Sequence, residues 1–112
     1  MGNLSQNARG ILAMANVDGV AAAPVYLNQR GFASTAITDN GAGDYTLTLD
    51  ASSAIKTDMT DAVIVCSGLG TVATEFIVEV ASATTLRVRC TSNAGALTDT
   101  KFSILVLSIG PN

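Results

Sequence analysis

The sequence predicts an all-β protein that folds as an antiparallel β-sandwich. Apolar and polar residues alternate in several short runs, and turns rich in glycine and asparagine separate these runs. Uninterrupted apolar stretches, such as residues 104–107, have the length of a strand segment. The chain of 112 residues fits a single domain with a core of its own.

The composition predicts that part of the surface faces another protein. Hydrophobic residues make up 48% of the chain and charged residues only 13%, whereas ordinary soluble domains have about 25% charged residues. No stretch approaches the roughly 18 apolar residues of a membrane span. We therefore expect a homo-oligomer with no membrane contact.

Several function classes are excluded by what the sequence lacks. The net charge is −3 and the six basic residues do not cluster, which argues against a nucleic-acid surface. The start of the chain lacks a basic segment followed by an apolar one, so we expect no secretory signal. Histidine, the commonest general base and metal ligand, is absent. We expect no catalytic residue and no cofactor.

Two further groups of residues could form a disulfide or a calcium site, but a structural role explains each of them better. Cys66 and Cys90 lie within apolar strand patterns, which favours reduced, buried thiols over a disulfide. Asp39, Asn40 and Asp44 supply clustered oxygens, but they lack the spacing of an EF-hand, and we expect turn-forming side chains rather than a calcium site. The prediction is therefore that no metal is bound.

Residues 1–30 are predicted to form an N-terminal arm that precedes a β-domain at residues 31–112. Apolar residues near the start recur at helical spacing, which allows a short amphipathic helix; they are Leu4, Ala8, Ile11, Leu12 and Ala15. Pro24 is followed by Val25 and Tyr26, which favours extended chain there. The alternative is a segment that packs across its own domain.

Residues 31–50 predict a β-hairpin. Residues 44–50 alternate polar and apolar side chains, and the NGAG sequence at residues 40–43 can adopt positive φ in the turn. Ile37 shares a face with Leu47 if the loop has an odd number of residues. In a regular strand Phe32 would then point to the face opposite Ile37, so we expect a bulge before Ile37 or burial on both faces.

Residues 51–61 are polar and predict a long connection before the next strand. Residues 62–67 (AVIVCS) are apolar on both faces, which predicts a strand in the middle of the structure rather than at an edge.

Residues 72–91 predict a second hairpin with a definite register. Placing residue 81 opposite residue 85 brings Phe76, Val78 and Val80 to the same face as Leu86, Val88 and Cys90. The same register puts Glu79 opposite Arg87 and Glu75 diagonal to Arg89 on the other face. Opposite charges across a strand pair contribute about 0.2–1 kcal/mol each, so these residues are interpreted as structural.

The last predicted strand, residues 101–109, is apolar on both faces. One face carries Phe102 and Ile104, and the other carries Leu105, Leu107 and Ile109. Because both faces must be covered, we expect one to pack on the opposing sheet and the other to meet the arm or a neighbouring subunit.

Three segments carry a resemblance to a known class of proteins. Residues 43–49 (GDYTLTL), residues 82–90 (SATTLRVRC) and the ending from residue 93 to residue 107 look like small β-rich virion proteins of tailed bacteriophages. These include capsid decoration proteins and head or tail fibre domains. The hairpin with glycine two residues before tyrosine also resembles trimeric jelly-roll modules of the C1q and tumour-necrosis-factor type.

The resemblance implies a jelly-roll-like homotrimer that acts as a capsid decoration, or cement, protein. It would assemble in the host cytoplasm and lie on the capsid surface, bound to the major capsid protein or another virion protein. The implied subunit interface consists of Phe102, Ile104, Leu105, Leu107 and Ile109. The implied capsid-contact arm includes Leu4, Ile11, Leu12, Val25 and Tyr26. The alternative is a receptor- or glycan-binding fibre domain that uses loops near Asp58 or residues 68–70.

Overall fold

Eight strands make up the fold in the computed structural model, which describes residues 9–20, 23–50, 62–70 and 75–109. The strands are β1 (Arg9–Asp18), β2 (Val25–Arg30), β3 (Phe32–Gly41), β4 (Asp44–Leu49), β5 (Ala62–Gly68), β6 (Glu75–Val80), β7 (Thr85–Thr91) and β8 (Lys101–Ile109). These ranges contain no helix, and the predicted all-β class is confirmed.

The strands form two antiparallel sheets of four strands each. Sheet A has the order β2-β1-β8-β5, and sheet B has the order β3-β4-β7-β6. Side chains from both sheets join one hydrophobic cluster, with Val17, Phe102 and Val106 from sheet A and Leu47 and Val88 from sheet B among its fully buried members. Alternation along each strand therefore directs one face of each sheet into a shared core.

The helix considered for the first residues is wrong over residues 9–18, which form β1. β1 lies between β2 and β8, and Ala13, Ala15 and Val17 point into the core. Hydrogen bonding to two neighbouring strands outweighs the weak helical spacing, and Gly10 adopts a φ of 110°, which a helix does not contain. The predicted arm is not observed over the described part of residues 9–30, which packs within the fold; residues 1–8 lie outside the described residues.

Both predicted hairpins are confirmed in their pairing. Ile37 pairs with Leu47, and the register shifts between Phe32 and Ile37, as a bulge requires. In the second hairpin Phe76 pairs with Cys90, and Val78 pairs with Val88.

β5 differs from the prediction because it is an edge strand. Among the described strands it pairs only with β8. Ile64 and Cys66 pack against the core, while Val63 and Val65 are exposed. One face of β5 is therefore buried in the core, and the other face carries apolar side chains that are exposed in the single subunit.

Tyr45 ties together three separate parts of the fold. Its hydroxyl lies 2.7 Å from Oδ1 of Asp99 and 3.1 Å from the carbonyl oxygen of Gly19. The same Asp99 oxygen accepts a 2.7 Å hydrogen bond from the backbone N–H of Gly43. A Cβ atom at Gly43 would lie 2.5 Å from the backbone N of Thr98, so this close approach requires glycine.

Candidate interaction face on sheet A

The two sheets have outer faces of opposite character. The outer face of sheet B is polar and carries two arginine ion pairs. Arg87 binds Asp44 through two hydrogen bonds, of 2.9 Å from Nε and 2.6 Å from the second guanidinium nitrogen. Arg89 reaches Glu79 at 3.3 Å. This face is mainly polar, with Ile77 52% exposed on it, and the buried Nε of Arg89 has no hydrogen-bond partner among the described residues.

The ion pairs on sheet B run diagonally rather than directly across the strands. Glu79 and Arg87 are register partners, as predicted, but Arg87 turns to Asp44 on the other neighbouring strand. The hydrogen bond from Arg87 lowers the pKa of Asp44. These charges stabilise strand pairing, in agreement with their structural interpretation.

The carboxylates considered for calcium are engaged within the chain. Oδ1 of Asp39 accepts the backbone N–H of Gly41 at 3.0 Å, and Asn40 donates to Thr46 at 2.8 Å. Asp44 is occupied by Arg87. Within the described ranges no group of three histidine, cysteine or acidic side chains is placed to hold a metal ion.

The outer face of sheet A is apolar over its upper two rows. In the first row, Leu107 pairs with Ile11 on one side and with Val63 on the other. In the second row, Leu105 pairs with Met14 and with Val65. In these two rows and at the adjoining end of β8, the large hydrophobic side chains that are 39–53% exposed are Ile11, Met14, Val63, Val65 and Ile109. We call these residues, with Leu105 and Leu107, the apolar face.

The third row of the same sheet is polar. Ser103 pairs with Asn16 and with Ser67, and Asn28 lies beyond Asn16 on β2. The hydroxyl of Ser103 donates a 2.6 Å hydrogen bond to Oδ1 of Asn16. The second and third rows together line an open depression of about 470 Å³, with Arg30 at its β2 end.

The residues predicted for the subunit interface divide into two groups. Phe102 and Ile104 point inward and are 0% and 2% exposed, so they belong to the core. Leu105 and Leu107 are half-buried on the outer face, and Ile109 is 53% exposed. Only the outward group is placed where another subunit could contact it.

The residues predicted for the capsid-contact arm are also divided. Ile11 and Val25 are exposed on sheet A. Leu12 packs against the core, and Tyr26 stacks on Phe32 with ring centroids 5.5 Å apart. Leu4 lies outside the described residues.

The sequence does not predict three members of the apolar face: Met14, Val63 and Val65. It places Met14 only within the predicted arm, and it predicts that both faces of residues 62–67 are covered. Residues 62–67 are apolar at every position but the last, so the sequence did not distinguish exposed from buried side chains there, and it did not reveal the antiparallel pairing of β1 with β8. That pairing joins residues 83 to 100 positions apart, which local patterns do not encode.

The two cysteines are free, and both belong to the inner side of the sheets. Burial raises the pKa of the Cys66 and Cys90 thiols to about 12. Both are therefore protonated at neutral pH, a state in which a thiol is a poor nucleophile.

The fold and this face define an all-β protein of two antiparallel sheets with one apolar outer surface. No protein-family model matches the chain, and no curated protein or solved structure is significantly similar to it. No helix in the described part of the chain is long and apolar enough to cross a membrane.

Proposed function

We propose that the protein is a non-enzymatic structural protein that works as a homo-oligomer, specifically a homotrimeric decoration protein on a bacteriophage capsid. The observation that carries the oligomer is the apolar face of sheet A. The virion assignment and the threefold state are supported by the sequence resemblance. The two antiparallel sheets are compatible with the β-sandwich that the resemblance implies.

In a single subunit, the exposed side chains of the apolar face do not contribute the stabilisation that their complete burial would give. Burying a large aliphatic side chain completely contributes about 1.5–3 kcal/mol, so half-exposed side chains each leave about 1 kcal/mol. The five exposed members therefore leave about 5 kcal/mol in total. A neighbouring subunit that covers this face recovers that stabilisation, whereas the two arginines on the outer face of sheet B already form ion pairs within the subunit.

A decoration protein binds through its surface and needs no catalytic site, and the two outer faces of this fold suit that role. Covering the apolar face with other copies leaves the polar face outward, and the oligomer presents several identical contacts to a repeating shell. Linked contacts of this kind gain affinity from effective concentration even when each is weak. Of the residues assigned to the capsid contact, Val25 is exposed and lies outside the apolar face, whereas Ile11 belongs to the face that other copies would cover.

The oligomer is tested by a charge placed on the apolar face. We expect light scattering to give a mass well above 11.4 kDa for the wild type and a monomer for Leu107→Glu. The matched control is Ile77→Glu, which places the same charge at a 52% exposed position on sheet B and leaves the assembly intact. A wild type that stays monomeric at micromolar concentration contradicts the proposal.

The capsid role is tested by co-sedimentation with purified expanded heads of the phage that encodes the chain. We expect stoichiometric binding by wild type and Ile77→Glu, and weaker binding by Leu107→Glu because the multivalent contact is lost. Binding to host cells without binding to heads would favour the receptor-binding alternative.

A further inference from the structure

Asn40 is the only asparagine of the sequence that is followed by glycine. Asparagine is thermolabile, because the backbone nitrogen of the next residue can attack its side-chain carbonyl carbon and close a five-membered imide. A following glycine has no Cβ atom to hinder this attack. Asn40 and Gly41 are exposed, and a Cβ atom added at Gly41 would meet no atom of the described residues within 4 Å. The end of β3 therefore has the chemistry and the open space that imide formation needs.

The folded hairpin holds both reacting groups in hydrogen bonds. Nδ2 of Asn40 donates to the hydroxyl oxygen of Thr46 at 2.8 Å and to Oδ1 of Asp44 at 3.3 Å. The backbone N–H of Gly41, which is the nucleophile, donates to Oδ1 of Asp39 at 3.0 Å. Because Cγ of Asn40 must turn back toward its own backbone to be attacked, its amide has to leave Thr46 and Asp44. The hairpin therefore slows the reaction.

Another residue followed by glycine, Asp18, provides a contrast. Asp18 precedes Gly19 and would form the same imide through its carboxyl group. The Gly19 N–H donates to the carbonyl oxygen of Thr100 at 3.1 Å, and a Cβ atom at Gly19 would collide with the hydroxyl of Tyr45. Gly19 is buried, whereas Gly41 is exposed. Packing thus leaves no room for ring closure at Gly19.

The structure assigns Asn40 as a site of spontaneous deamidation through a cyclic imide, restrained by Thr46. In the first step the Gly41 nitrogen forms a bond to Cγ of Asn40, the bond from Cγ to Nδ2 breaks, and the proton of the Gly41 nitrogen leaves with Nδ2 as ammonia. In the second step water adds to one of the two imide carbonyl carbons and opens the ring. The product is aspartate, or isoaspartate when the main chain continues through the former side-chain carbonyl.

Either product alters the ion pair on sheet B. Asn40 donates to the same Oδ1 of Asp44 that accepts a hydrogen bond from Nε of Arg87. A carboxylate at position 40 cannot donate this bond, and its charge repels Asp44 and raises the pKa of Asp44. Deamidation thus loosens the contact between β3 and β4 and adds one negative charge to a chain of net charge −3. The hairpin belongs to sheet B, so this chemistry is independent of the apolar face and of the proposed function.

The site is tested by incubating the full chain at mildly alkaline pH and mapping its peptides by mass spectrometry, with chromatographic separation of the aspartate and isoaspartate forms. We expect conversion at Asn40 to both products, with isoaspartate in excess, before Asn16, Asn28 or Asn93 changes. We expect no isoaspartate at Asp18. Conversion to aspartate alone, or conversion that begins at another of these asparagines, overturns the inference.

A matched pair of variants tests the restraint. Thr46→Val keeps the shape of the side chain but removes the acceptor of the Asn40 amide, and we expect the rate of conversion to rise about twofold to tenfold for one lost hydrogen bond. Thr48→Val makes the same change two residues further along β4 on the same face and should convert at the wild-type rate. Equal rates for these two variants contradict the role of Thr46.

Two further measurements apply even if Thr46→Val disturbs the fold. Thr46→Ser, which keeps the hydroxyl, should convert at the wild-type rate. In urea the wild type and all variants should convert at one common rate that exceeds the rate of the folded wild type. A folded wild type that converts as fast as its urea-unfolded form shows that the hairpin imposes no restraint and overturns the inference.

Discussion

Tyr45 and Tyr26 are the two tyrosines of the chain, and their hydroxyl groups have different surroundings. The Tyr45 hydroxyl lies within hydrogen-bonding distance of Asp99 and Gly19. The Tyr26 hydroxyl is buried without a hydrogen-bond partner among the described residues. Burial raises the pKa of both side chains. Removing the hydroxyl group by a Tyr→Phe substitution therefore costs a hydrogen bond at Tyr45 but not at Tyr26.

At the residue scale, Tyr45→Phe is expected to lower the free energy of unfolding by about 1.5–3 kcal/mol, because a hydrogen bond to a charged carboxylate is lost. Tyr26→Phe is expected to be neutral or slightly stabilising, since its hydroxyl makes no bond that the variant loses. Urea unfolding of both variants against the wild type measures the difference. Equal losses for the two variants would show that the Tyr45 contacts are not stabilising.

At the scale of the strand, β1 connects the start of the chain to its end. It pairs with β2 on one side and with β8 on the other, and it buries Ala13, Ala15 and Val17. A strand in this position is part of the fold, because its removal would expose both the core and the backbone of β8.

Deleting residues 1–25 is therefore expected to abolish cooperative unfolding, measured by near-ultraviolet circular dichroism during thermal denaturation. Deleting residues 1–8 leaves every described strand in place and is the control, expected to retain the transition. A truncated protein that still unfolds cooperatively after loss of residues 1–25 would restore the interpretation of this segment as a separable arm.

At the scale of the whole molecule, the buried thiols make stability sensitive to alkaline pH. Burial raises the pKa of Cys66 and Cys90 from 9.0 to about 12, so the folded state holds its thiol protons where the unfolded state releases them. A raised folded-state pKa gives stability that is complete below pH 9 and is lost as pH rises toward 12.

We expect the free energy of unfolding to fall steadily when urea denaturation is repeated from pH 8 to pH 10.5, the lower part of this range. In the double variant Cys66→Ala, Cys90→Ala the slope should be shallower, whatever its stability at pH 8. Identical slopes for the variant and the wild type would rule out the thiols as the source.

The sequence predicted which side chains of a strand share a face, but it did not predict which strands pair in the sheets. Alternation alone predicted the inward faces of both hairpins, including the pairing of Phe76 with Cys90, and it left a bulge after Phe32 as one of two alternatives, which the structure confirms. It also put Leu105, Leu107 and Ile109 on the face opposite Phe102 and Ile104, without deciding which of the two faces is outward. The sequence could not show that β5 lies at an edge or that Ile11 and Met14 lie beside β8, because those contacts depend on the folding of distant segments.

The edge position of β5 has a consequence for the protein outside its assembly. Its sequence, AVIVCSG, has no charge and no proline, and Val63 and Val65 are exposed beside an edge that no described strand covers. Uncharged, β-branched edges of this kind template amyloid growth by adding strands from other molecules. A neighbour that shields β5 would thus also act against fibril formation.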